Sequence, residues 1–152
     1  MVVAAFGGGF GYIERWPKQM NIALMAHDRK KELMVQFCIA YCGILARHSI
    51  SATNTTGRLV AEATGLPVRL YLPSTQGGNQ QIGARIAYNE IDLAIFFCDP
   101  NGPEPIKDVD DIARLCDQYN VPFASNVATA EVLIRGLQRG DMDWRDIVNP
   151  KK

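Results

Sequence analysis

Five short apolar runs, each followed by polar residues and then by apolar residues at helical spacing, leave this chain few folds to choose from. The runs are Met20 to Ala26, Ser49 to Thr53, Val68 to Leu72, Ile91 to Phe97 and Pro122 to Ser125. The stripes between and after them are Leu33, Met34, Phe37, Cys38, Tyr41, Ile44 and Leu45; Leu59, Val60 and Ala63; Ile82, Ala84, Ile86 and Tyr88; Val109, Ile112, Ala113, Cys116 and Tyr119; and Ala130, Leu133, Ile134 and Leu137. Near-continuous apolar strands alternating with helices predict a parallel sheet covered on both faces and joined by right-handed crossovers. The expected fold is therefore α/β, a single three-layer α/β/α domain around a mostly parallel five-stranded sheet of Rossmann-like type. Ile91 to Phe97, the most apolar run, is expected at its centre. The domain is expected over residues 20–148, with residues 1–19 as a glycine-rich N-terminal extension expected to be mobile, and 149–152 as a tail. Trp144 and Ile147 are the expected anchors of the polar segment after Gly140.

In such sheets ligands sit beyond the carboxyl ends of the strands, so the loops after the strands carry the functional expectation. Two features stand out there. Gly77-Gly78-Asn79-Gln80-Gln81 combines backbone freedom with three side-chain amides at the start of a helix, and amides position ligands without taking up protons. Asn54-Thr55-Thr56-Gly57, expected as a loop before a helix, offers hydroxyls and N–H groups of the kind that hold phosphate. His27, Asp28 and Lys31 open another helix with spacings that let Lys31 meet either neighbour.

Sixteen basic and sixteen acidic residues cancel, so charge points to no nucleic-acid polymer and no membrane surface. No apolar run approaches the ~20 residues of a membrane span. Cys38, Cys42, Cys98 and Cys116 lie in apolar segments without a metal-type spacing, which reads as buried thiols of a reducing cytoplasm and implies no metal site.

From Met20 to about Ile147 the chain resembles the methylglyoxal synthase family. The residues that carry the resemblance are Ile22 to Asp28 with Lys30-Lys31, Thr55-Thr56-Gly57, Gly77-Gly78 with Gln80 to Ala84, Ile95-Phe96-Phe97 with Asp99-Pro100, Arg114 to Asp117, and Asn126 to Glu131. The resemblance implies a cytoplasmic homohexamer that needs no cofactor and converts dihydroxyacetone phosphate to methylglyoxal and phosphate. It implies that Lys31, Thr55 and Thr56 hold the phosphate, with Thr53, Gly57, Ser74, Gly77 and Gly78 completing that site. It places His27, Asp28 and Asp99 at the reacting end. Two departures fall on the chemistry: the family's aspartate base is Asn79 here, and a histidine after the Asp-Pro loop aligns with Ile106. Asparagine takes up no proton at neutral pH, so Asp28, Asp99 or Asp108 would have to serve as base. Two readings stay open: a weakened lyase, and a binding protein for a phosphorylated metabolite or nucleotide.

Overall fold

The computed structural model describes residues 18–150 in full and residues 2–6 and 9–13 as backbone strands. Strands β1 (Val2–Phe6) and β2 (Gly9–Ile13) pair antiparallel, from Val2 opposite Ile13 to Phe6 opposite Gly9. The expected mobility of residues 1–19 falls partly on residues 1, 7–8 and 14–17, outside the described residues.

The main sheet has five strands: β3 (Asn21–Ala26), β4 (Ser49–Ala52), β5 (Val68–Leu70), β6 (Leu93–Phe97) and β7 (Phe123–Ala124). They run in the order β5-β4-β3-β6-β7, every neighbouring pair parallel. The helices are α1 (Lys31–Ala40), α2 (Cys42–Leu45), α3 (Asn54–Thr64), α4 (Gly78–Ala87), α5 (Lys107–Tyr119), α6 (Val127–Arg139) and α7 (Arg145–Val148). The expected α/β/α architecture is what the chain adopts. The middle strand, however, is β3, and the more apolar β6 lies one place away.

Alternation along the strands builds two cores. Ile22, Leu24, Leu93, Ile95 and Phe97 meet Met34, Phe37 and Cys38 of α1, Val60 of α3 and Ala130, Ile134 and Leu137 of α6. Ala23, Met25, Ala94 and Phe96 face the other way, onto Ile82 and Ile86 of α4 and Val109, Ile112 and Cys116 of α5. Burial pushes the thiols of Cys38 and Cys116 up to about 12. Cys42 and Cys98 are only partly buried, because they stand at element ends, and all four thiols are free.

Two further expectations give way. Asn54 to Gly57 is the first turn of α3 and not a loop. Gly57 allows it, since an added Cβ would collide with Leu70 of β5 and press on Ala52 of β4. The C-terminal segment is anchored by neither Trp144, 43% exposed, nor Ile147, 84% exposed. Its anchor is Arg145, 1% exposed. That guanidinium donates to the carbonyls of Asn120 and Ile91 and to the Asn89 side chain, with Nε 3.5 Å from Asp92 Oδ1.

Candidate functional site

All five strands run the same way, so the segments that follow them gather along one rim. Register sets the neighbours: Leu24 pairs with Ala52 and Ala26 with Phe97, which brings the ends of β4, β3 and β6 side by side.

At the end of β3, backbone N–H of His27 continues the ladder to Phe97 O at 3.0 Å. The His27 ring is buried, edge-on to Phe96 at 5.3 Å, and its Nδ1 accepts the N–H of Asp99 at 2.9 Å. A neutral imidazole that accepts at Nδ1 carries its proton on Nε2. The next residues form a 3-10 turn, Asp28–Lys30, that leads into α1. Lys31 Nζ reaches back to Ala26 O at 2.8 Å and to Asp28 Oδ1 at 2.9 Å. Its hydrogen bond and charge hold the Asp28 carboxyl below the usual carboxylate range. Asp28 itself is largely in solvent, with its side chain 80% exposed.

At the end of β4, Thr53 occupies the N-cap of α3 in extended backbone, yet its side chain makes no capping hydrogen bond. The first N–H groups of a helix have no partner inside it. Here Asn54 N–H meets Leu72 O at 3.4 Å and Gly57 N–H meets Thr53 O at 2.8 Å, which leaves the N–H groups of Thr55 and Thr56 without an acceptor among the described residues. Thr55 is exposed, while the buried Oγ1 of Thr56 has no partner among the described residues. An uncapped helix start with free donors and a positive dipole end, one strand away from Lys31, is suited to an anion.

Past β5, Gly77 takes φ +98° at the N-cap of α4. Gly78 is required by packing, since an added Cβ would run into the Leu72 carbonyl. Its N–H is committed to Pro73 O at 3.0 Å. The three amides divide their tasks. Gln81 accepts the N–H of Leu72 at 2.8 Å, Gln80 is exposed, and Asn79 is buried at 4% exposure with Nδ2 donating to Asp108 Oδ2 at 2.9 Å. Asn79 Oδ1 is buried and has no partner among the described residues.

A cavity of about 290 Å³ lies at this end of the sheet, with His27, Asn79, Asp108, Ser74, Thr75 and Glu104 in its wall. Of the three carboxylates considered as substitute bases, only Asp108 lines it. Asp28 pairs with Lys31 outside, and Asp99 is spent on its own turn, where Oδ1 accepts Asn101 N–H at 3.2 Å and Oδ2 lies 3.9 Å from Arg29. Ile106 is 52% exposed, while its neighbours Pro105 and Lys107 line the cavity. Ser74 is in the wall; Gly77 and Gly78 shape the turn behind it.

Glu104 is the residue that the sequence reading missed. It lines the cavity, and its Oε1 accepts the backbone N–H of Asp28 at 2.7 Å, joining the loop after β6 to the loop after β3. Its place between two prolines in a loop following a buried strand was the available signal. Among the described residues no cluster of His, Cys, Asp or Glu is arranged to hold a metal ion, and no helix is long and apolar enough to cross a membrane.

Residues 34–125 match the MGS-like domain family. The chain is 61% identical over 133 residues to a methylglyoxal synthase of Caldicellulosiruptor saccharolyticus, covering 87% of this chain and 94% of that protein. It is 54% identical over 131 residues to a methylglyoxal synthase of Geobacillus thermodenitrificans, covering 86% and 91%. The crystal structure of methylglyoxal synthase from Elizabethkingia anophelis superposes with a TM-score of 0.75 at 38% identity, over 81% of this chain and 83% of that one.

Proposed function

The chain belongs to the methylglyoxal synthase family, and from that premise we propose that it binds dihydroxyacetone phosphate and converts it slowly to methylglyoxal and phosphate, with Asp108 as the base. The observation that carries this reading is the Asn79–Asp108 hydrogen bond in the wall that also holds His27. An amide fixes a carboxylate in place without competing for its proton, so Asn79 positions the group it cannot replace.

The steps follow from the groups at hand. Asp108 takes a proton from the carbon beside the ligand's carbonyl, and the C–H electrons move toward the carbonyl oxygen. His27 Nε2–H donates to that oxygen as charge develops on it. The hydroxyl on the deprotonated carbon then passes its proton to the oxyanion, and its electrons form the aldehyde carbonyl. The double bond shifts toward the phosphate-bearing carbon and the carbon–oxygen bond to phosphate breaks, so that phosphate leaves with the bonding pair and takes up the proton held by Asp108. The enol left behind rearranges to methylglyoxal. Lys31, the hydroxyl of Thr56 and the N–H groups of Thr55 and Thr56 hold the phosphate throughout.

Turnover is weak because one oxygen of Asp108 is engaged by Asn79, and because Ile106 offers no donor to the oxyanion. General-base catalysis contributes roughly 10²- to 10⁴-fold, which sets the scale of the loss. Asn79 and Ile106 also favour a second reading, a protein that holds a phosphorylated metabolite or nucleotide without turnover. The assembly proposed with either reading is a cytoplasmic homohexamer, which light scattering checks for the oligomer.

Release of methylglyoxal and phosphate from dihydroxyacetone phosphate separates the two. The wild type is expected to turn over at least tenfold more slowly than an ordinary family member, Asp108→Asn to abolish the residual rate, and Asn79→Asp to raise it modestly. Wild-type turnover within tenfold of an ordinary member sinks the weakened-base reading. A residual rate that survives in Asp108→Asn removes Asp108 from the mechanism, and the absence of any wild-type rate selects the binding protein.

A further inference from the structure

We infer that the chain carries a second binding site, on the flank of the sheet away from the carboxyl-end rim, for a small monocarboxylate with an apolar body, whose carboxylate is received by Arg69 and His48. The inference stands apart from the reaction proposed above and does not depend on it.

Alternation along two strands opens the site. Ile50 and Ala52 of β4 belong to the core under α1 and α3, so Ser49 and Ser51 fall on the opposite face, where Ser51 pairs with Arg69 of the edge strand β5. On that face α4 and α5 pack over Ala23 and Met25 of β3 and Ala94 and Phe96 of β6, while β4 and β5 offer serines and an arginine in place of apolar residues. Beside the starts of β4 and β5 lies a cavity of about 580 Å³, against about 290 Å³ for the one that holds Asn79. That volume is in the range of small-molecule sites.

Charge and donors in its wall decide the ligand. No carboxylate lines the cavity, and its one cation is Arg69. The Arg69 guanidinium stands over the Tyr71 ring, with Cζ 5.6 Å from the centroid, and among the described residues it has no ion-pair partner. A stacked guanidinium keeps its N–H fork for bidentate contact with a carboxylate. His48 lines the same cavity and is 8% exposed. Its Nδ1 accepts the N–H of Met20 at 3.0 Å, so the proton sits on Nε2, and that donor has no acceptor among the described residues. Asp92, whose charge reaches His48, is already matched by Arg145 at 3.5 Å and by the N–H of Asn21. One uncompensated positive charge beside one free ring N–H fits a single negative charge shared by two oxygens. Ala46, Pro67 and Ile91 supply apolar wall for the rest of the molecule.

The chain has two histidines, His27 at the carboxyl-end rim and His48 here, so imidazole nitrogen NMR of the full chain reads both places at once. Phenylacetate is the probe, and phenylacetamide, of nearly the same shape without the charge, is its control. Phenylacetate is expected to shift the His48 Nε2 resonance to saturation while His27 stays in place, and phenylacetamide to bind at least about tenfold more weakly. Arg69→Gln is expected to weaken phenylacetate by about tenfold, the value of one charge-assisted hydrogen bond. Arg69 is exposed on an edge strand, so the fold should survive, which an unchanged His48 signal in the ligand-free variant checks. Lys31→Ala, at the other site, is expected to leave phenylacetate binding as it is. The inference is overturned by the absence of a saturable shift at His48, by phenylacetamide binding equally well, or by Arg69→Gln binding as tightly as the wild type. A response at His27 that disappears in Lys31→Ala overturns it too, because the carboxylate would then occupy the carboxyl-end rim.

Discussion

The two ends of the sheet treat buried polar atoms in opposite ways. At the amino end the buried atoms Arg145 Nε and Asp92 Oδ1 face one another at 3.5 Å, and the groups around them are satisfied by the protein itself. Asp92 Oδ2 accepts the N–H of Asn21 at 2.8 Å, and Asn149 bridges Asn89 and Tyr119 O at 2.8 and 3.2 Å. At the carboxyl end Thr56 Oγ1 and Asn79 Oδ1 are buried with no hydrogen-bond partner among the described residues. Buried atoms without a hydrogen bond cost stability; at the amino end the two such atoms face each other with opposite charge, while at the carboxyl end they have no such counterpart among the described residues. The amino end holds the fold; on the proposed reading the carboxyl end holds a ligand.

Arg145→Ala should produce the largest effect. It removes the guanidinium that faces the buried Asp92 carboxylate, and losing one partner of a buried ion pair costs about 3–5 kcal/mol. Denaturant unfolding of the variant checks it; a loss under about 1 kcal/mol would mean that the network contributes little. Thr56→Val asks the opposite of the rim. It deletes an unpartnered hydroxyl at nearly constant shape, so stability should be unchanged or slightly higher, while affinity for phosphate falls about tenfold, the value of one charge-assisted hydrogen bond. A large loss of stability in this variant would make Thr56 a structural residue and erase the contrast.

The smallest effect is a slope with pH. His48, near the amino end, is buried with Nδ1 accepting the N–H of Met20 at 3.0 Å. Desolvation, then the charge of Arg47, lower its pKa from the ordinary 6.5, against an opposing pull from Asp92. The unfolded imidazole takes up a proton at a higher pH than the folded one. Its contribution is therefore present above pH 6.5 and declines as pH falls below that value. His48→Asn, which keeps an acceptor but does not titrate, should flatten this part of the stability curve. An unchanged slope would assign the acid sensitivity elsewhere.

The sheet was legible in the sequence because a strand buried on both faces reads as an apolar run, while the strand order was not, since the most apolar run, β6, lies one place from the centre. His27, Lys31, Asn79 and Asp108 were visible in the sequence as polar residues in the segments that follow strands. What brings Asn79 to Asp108 was not, since their bond spans 29 positions and depends on α4 packing against α5. Asn54 to Gly57 looked like a loop because Asn and Thr compete with helix in isolation, a preference that the close packing of Gly57 under β5 overrides. Arg145 looked like one more charge in a polar tail, and its burial depends on partners 25 to 56 positions away. Propensity and pattern see neighbours in sequence; the residues that close each end of this sheet meet across it.

The claim that the carboxyl rim is built to hold phosphate is tested most directly by calorimetric titration of the wild type, Lys31→Ala and Thr55→Ala with inorganic phosphate, dihydroxyacetone phosphate and a small panel of nucleotides. Charge-assisted hydrogen bonds contribute roughly 1.5–3 kcal/mol each, so Lys31→Ala should weaken phosphate binding by about tenfold or more with the fold intact. Thr55→Ala should lower affinity in the same direction, through the helix start whose N–H groups it positions. A wild type that binds none of these compounds, or variants that bind as tightly as the wild type, would contradict the phosphate site and with it both functional readings.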